Sequence, residues 1–206
     1  MNRHPRLLPL LLLVALLGAT ATACGGGDDS AGATTPATTA ADPRAGYFGE
    51  EQSAALNPAL TALVEADRTW VADGDACNDT ATRLFEAGAT PRKAIACHLR
   101  LTTAMRDASR DVRVAARGVE GDFRAECVAE LGRYRATVTR MAAAWQRTLD
   151  LWNAYGRGEA GAGDRITAAG QRAQDLTRAF LDEGEAGKAL TVACYTAADR
   201  AEADAG

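Results

Sequence analysis

Aromatic residues make up only 5% of the 206 positions, and strong strand formers are sparse. A sheet-built core draws on those side chains, so a β fold is not expected. Histidine occurs twice, at His4 and His98, which leaves no material for a relay or metal set that needs several imidazoles. Lysine is nearly missing: Lys93 and Lys188 stand against 21 arginines. A net charge of −4 lacks the basic excess of a generic nucleic-acid binder. The longest apolar stretch, residues 7–17, falls short of the roughly 20 residues that a membrane-spanning helix needs. What the chain has in quantity is alanine, at 47 of 206 positions, with 21 arginines and 20 leucines. These residues lose little conformational freedom in a helix, so the composition reads as all-α.

The N-terminus carries an address. Arg3, His4 and Arg6 form a basic start, Leu7 to Leu17 an apolar segment, and Ala19 to Ala23 a small-residue stretch before Cys24. This is the layout of a signal peptide. The run Ala21-Thr22-Ala23-Cys24 resembles the lipobox of bacterial lipoproteins, whose cysteine becomes diacylated. The resemblance covers residues 1–24, with Ala21 where leucine is usual. It implies a lipid on Cys24 and a chain anchored to the cell membrane on its extracytoplasmic face. Ala21-Thr22-Ala23 also reads as an ordinary A-x-A cleavage site, which would release the chain. Cysteine parity favours the lipid. Setting Cys24 aside leaves Cys77, Cys97, Cys127 and Cys194, an even set able to pair. Residues 25–46 are low in complexity, small and polar, as in a disordered tether. A flexible coil of that length spans roughly 25 Å. The expected organisation is a signal peptide over 1–23, a tether over 24–46 and a folded domain over 47–206.

Within the domain, Asn57-Pro58 reads as a helix start, with Leu60, Leu63, Val64, Trp70 and Val71 at helical spacing and an end before Gly74. A short helix is expected around Thr80 to Ala87. Thr90-Pro91 repeats the start signal for a helix that runs to about Arg117. Gly118 and Gly121 mark a turn, and Asp122 is placed to cap the third helix. The clearest pattern follows. Cys127, Leu131, Tyr134, Val138, Met141, Trp145, Thr148, Trp152 and Tyr155 alternate steps of four and three, which lines one seam of a helix. After a glycine-rich loop over 156–163, with Asp164 as a cap, the same stepping runs from Ile166 to Ala197. Gly184, Gly187 and a seam Glu183 predict a break near 183–188. Short loops between long helices favour antiparallel neighbours, so the expected fold is an up-down-up-down four-helix bundle with two disulfides.

Register predicts the pairing. The third loop is centred near residue 160, which puts Cys127 and Cys194 at one level. Cys77 and Cys97 flank the first crossover. Folding the second hairpin about residue 119.5 puts Cys97 opposite residue 142, about 22 Å from Cys127 and beyond the reach of a bridge. The expected bridges are Cys77–Cys97 and Cys127–Cys194. The same geometry gathers Trp70, Trp145, Trp152 and Tyr155 toward one pole, with Phe85 and His98 nearby. It sets His98 level with Met141, and it has the tether enter at the other pole, beside Phe123.

Chemistry is thin. No Ser-His or Cys-His relay is readable, and no Glu-x-x-His pair for a ferritin-like metal site. Gly156-Arg157-Gly158-Glu159-Ala160-Gly161 fits G-x-G-x-x-G but follows a helix rather than a strand, so it reads as a loop. The spacing from Gly158 to Gly163 suits a P-loop, yet Asp164-Arg165 replaces the Lys-Ser/Thr pair. Asp73, Asp75 and Asp79 lack the order of a calcium loop. Charge is uneven: residues 47–82 carry −6, residues 83–147 carry +6 and residues 148–206 carry −4. The simple expectation is that the basic helices lie against the acidic ones, which nearly neutralise them; the sharper alternative is a basic face toward anionic envelope polymers or lipid head groups. The functional expectation is a non-enzymatic binding module of the cell envelope with no cofactor and no nucleic acid. Its candidate site is the aromatic pole of Trp70, His98, Met141, Trp145, Trp152 and Tyr155. The alternative is a carrier of a small apolar ligand there, or of haem through His98 and Met141.

Overall fold

The computed structural model describes residues 42, 44–181 and 185–205. The signal segment, Cys24 and most of the tether lie outside the described residues. All regular structure among the described residues is helical, in seven segments. They are α1 (Glu50–Glu86), α2 (Pro91–Ala94), α3 (Ala96–Gly118), α4 (Ala125–Gly156), α5 (Ala162–Leu181), α6 (Glu185–Cys194) and α7 (Ala197–Ala205). None of these helices is long and apolar enough to cross a membrane. Helix α1 packs on α3, α3 on α4, and α4 on both α5 and α6.

The first helix corrects the sequence reading most. It is one rod of 37 residues, running through Pro58, Gly74 and Cys77. It begins eight residues before Pro58, because that early turn is held from outside. The Gly49 N–H donates to Gln52 Oε1 at 2.9 Å, Gln52 Nε2 donates to the Glu120 carbonyl at 3.3 Å, and Leu56 is buried. Tertiary packing outweighs the hydrogen bond that proline removes. Val71, expected inward, is 73% exposed. The expected short helix at 80–87 is the last stretch of this rod. The acidic run Asp73, Asp75 and Asp79 is helical rather than a loop.

Thr90 and Pro91 do start a helix, but one of four residues that ends at Ile95 before α3 begins. Helix α4 begins after Arg124 rather than at Asp122. The four-three seam is as read: Cys127 through Thr148 are buried, and Trp152 and Tyr155 are half-buried at the end. The last helix is interrupted where expected, with α5 ending at Leu181 and α6 starting at Glu185. Helix α7 was not foreseen. Thr196 and Asp199 cap it reciprocally: the Asp199 N–H donates to Thr196 Oγ1 at 3.1 Å, and the Thr196 N–H donates to Asp199 Oδ2 at 3.2 Å.

Both expected disulfides are present. Cys77 and Cys97 stand 5.4 Å apart between Cα atoms, and Cys127 and Cys194 stand 4.7 Å apart. The register of α4 on α5 and α6 is therefore as expected. The register of α3 on α4 is not. His98 stacks on Trp152, and Gly156 lies against Ile95, so this hairpin is symmetrical about residue 125. The first two turns of α4 project past the end of α3. The connection over 119–124 runs back along them, and Val119 and Arg124 at its ends are extended. Arg135 secures the overlap, donating to the carbonyls of Ala116 at 2.8 Å and Val119 at 2.6 Å.

Candidate functional site

The expected site residues come from three helices. Trp70 projects from α1, His98 from α3, and Met141, Trp145, Trp152 and Tyr155 from α4. They form two groups rather than one pole. The inner group is Trp70, Trp145 and Met141. Trp145 and Met141 have no exposed surface. The Trp145 ring meets Trp70 edge-on at 4.8 Å. Its Nε1–H donates to Thr177 Oγ1 at 2.8 Å, and the Thr177 hydroxyl donates in turn to the Ala173 carbonyl at 3.0 Å. A buried indole needs such a partner. With the Trp145 indole and the Thr177 hydroxyl engaged, this group packs as core, and it ties α1, α4 and α5 together.

The outer group is His98, Trp152, Tyr155 and Phe85. The His98 ring lies parallel to Trp152, 4.6 Å between centroids. Tyr155 meets Trp152 at 6.3 Å and Phe85 at 6.2 Å, both edge-on. The overshoot of α4 separates His98 from Met141. Its neighbour Trp152 lies eleven positions beyond Met141, about 16 Å along the helix. The expected level pairing of His98 with Met141, and with it the haem geometry, does not occur. Burial holds the His98 pKa below its ordinary value, so the imidazole is neutral at pH 7. Among the described residues no group of three or more His, Cys, Asp or Glu is gathered as a metal site requires.

The opposite end is closed by the chain entering the domain. Residues 44–49 form a strap. Phe48 is 3% exposed, wedged between Phe123 at 5.0 Å and Tyr195 at 5.5 Å. The Phe48 N–H donates to the Cys194 carbonyl at 2.6 Å, and the Arg124 N–H donates to the Gly46 carbonyl at 3.0 Å. Arg44 pairs with Asp199 at 2.9 Å, and the Ser53 and Tyr195 hydroxyls meet at 2.8 Å. Arg44 to Gly46 therefore belong with the folded part, although their composition continues the tether. Phe123 and the Cys127–Cys194 bridge do lie where the chain enters, as expected.

A third feature was legible in the sequence only as a basic stretch, not as a cleft. Between α3 and α4 lies a cleft of about 430 Å³, lined by Arg106, Arg110, Arg113, Gln146, Arg147 and Asp150 with two alanines. A second cleft of about 370 Å³ shares Arg147 and Asp150 and continues to Arg157 and Arg165. None of the outer aromatic residues lines either cleft. The signal was present, since Arg106, Arg110 and Arg113 fall on one helical face. The expectation that acidic helices neutralise them misleads. Arg106 and Arg110 pair locally with Asp107 and Asp111 on α3 itself, and Arg100 pairs with Asp73 of the acidic α1 at 3.7 Å.

Compared with known proteins, the chain matches no family model, no curated protein and no solved structure. Its class rests on its own features: an all-helical domain, bridged twice by disulfides, with a strap closing one end.

Proposed function

We propose that this protein is a non-enzymatic binding module of the cell envelope, held at the extracytoplasmic face of a membrane by a lipid on Cys24. The observation that carries the reading is the use of its cysteines. Cys77–Cys97 and Cys127–Cys194 consume all four thiols of the domain, which leaves Cys24 alone at the end of the apolar leader. Such bridges form and persist in oxidising compartments. The four long rods of the up-down-up-down bundle would be α1, α3, α4 and the interrupted pair α5 and α6, with α2 and α7 as short additions. The packing of α1 on α3, α3 on α4 and α4 on α5 supports that order.

The test is the fate of Cys24. Expressed in a bacterium with an alkyne fatty acid in the medium, the full chain is expected to take up label and sediment with membranes. The Cys24→Ser variant is expected to lose both properties. An unlabelled wild-type chain found in the soluble extracytoplasmic fraction would refute the anchor and favour ordinary cleavage after Ala23.

A further inference from the structure

We propose that the cleft between α3 and α4 binds a phosphate group carried by an anionic ligand. The inference rests on the binding-module reading and names the chemistry that module would recognise. Four arginines and one carboxylate, Asp150, line the cleft. The arginines differ in how they are satisfied. Arg106 and Arg110 have Asp107 and Asp111 beside them. Arg113 and Arg147 make no ion pair among the described residues. The Nε of Arg113 is buried without a hydrogen-bond partner, whereas that of Arg106 lies 3.1 Å from Asp107 Oδ1. A buried guanidinium donor left unpaired is costly, and an acceptor entering the cleft beside Arg113 would offset that cost. Asp150 is occupied by Gln146, whose Nε2 donates to it at 2.8 Å.

Phosphate fits this set better than carboxylate does. A planar carboxylate matches one guanidinium fork, whereas a tetrahedral phosphate offers three acceptor oxygens to several at once. Arg106, Arg110 and Arg113 rise along α3 over about 10 Å, and Arg147 lines the same cleft from α4, nearest the Arg106 end by the register of the hairpin. Side chains from these successive turns can converge on two linked phosphates, or on one phosphate with a further anionic group beside it.

Inorganic pyrophosphate is the probe, titrated calorimetrically into the full chain with its disulfides oxidised. One site per chain is expected, with a dissociation constant of about 1 mM or tighter. Arg113→Gln with Arg147→Gln is expected to weaken it by about tenfold or more, since each lost charged hydrogen bond is worth that factor. Arg92→Gln with Arg172→Gln removes the same charge from exposed positions outside the cleft and is expected to leave affinity within about twofold. Equal weakening by both pairs would mean a diffuse charge effect and overturn the site. So would the absence of saturable binding, and citrate binding as tightly as pyrophosphate would overturn the choice of phosphate. Vesicles of phosphatidylglycerol, with phosphatidylcholine as control, separate the sources. Capture that pyrophosphate displaces and that Arg113→Gln with Arg147→Gln abolishes assigns the phosphate to a lipid headgroup. Pyrophosphate binding without capture assigns it to a soluble ligand. The titrations and vesicle assays use the Cys24→Ser chain, so that no lipid anchor contributes and each outcome is independent of the label on Cys24.

Discussion

The two ends of this bundle carry the same parts, a disulfide and a cluster of rings, and use them differently. At the strap end, backbone closes the fold. Phe48 is a buried wedge, and main-chain hydrogen bonds tie it to Cys194 and tie Gly46 to Arg124. At the other end, side chains do the closing. His98, Trp152, Tyr155 and Phe85 meet ring to ring, and Phe85 remains 38% exposed. The bridges differ as well: Cys127–Cys194 spans 67 residues, and Cys77–Cys97 spans 20. A rigid, deeply closed end and a shallower, partly open one follow from whether chain or side chain forms the lid.

Substitutions sharpen that contrast. The largest loss is expected from Cys127→Ala with Cys194→Ala, about 4 kcal/mol from the unfolded-chain entropy of the long loop. Cys77→Ala with Cys97→Ala is expected to cost about 3 kcal/mol. Urea denaturation of both variants checks the order, and a reversal would break the comparison. Phe48→Ala is expected to cost about 3 kcal/mol, as for other buried aromatic truncations. Phe85→Ala at the open end should cost under about 1 kcal/mol. Gly46→Ala follows, at about 1–2 kcal/mol. Its φ of 80° is a left-handed conformation, and an added Cβ would lie 2.7 Å from Arg124 Cγ.

The smallest effect is one of pH at the open end. Burial lowers the His98 pKa from 6.5. As pH falls through 6.5 the unfolded chain takes up a proton that the folded chain resists, so the unfolded state gains. The contribution is complete above that value and is lost as pH falls toward the folded pKa. Between about pH 7.5 and about pH 5.5 the melting temperature is expected to fall more for the parent than for His98→Phe, which keeps a ring on Trp152. Equal falls would place the imidazole in water.

Much of this was legible where one pattern dominates. The four-three stepping of α4 and of its successor gave both the buried seam and the level of Cys127 with Cys194. Helix α1 was harder, because Asn57-Pro58 and Gly74 are strong local punctuation that packing overrides. The offset of α3 against α4 lies in the length of an extended connection, which no periodicity records, so His98 was placed beside the wrong residue. Phe48 was hidden by the small polar residues before it. The arginine cleft was visible as charge but not as a site, since spacing shows which cations share a face and not which of them lack a partner.

The strap also sets how the domain would carry load. A pull on the chain ahead of Arg44 reaches the fold at Gly46 and Phe48, whose hydrogen bonds go to Arg124 and to the carbonyl of Cys194 itself. From Cys194 the force passes through the disulfide into the first turn of α4, the longest helix after α1. Tension therefore bypasses the interruption between α5 and α6. It enters the middle rod of the bundle at one end, and the aromatic end and the arginine cleft remain outside its path.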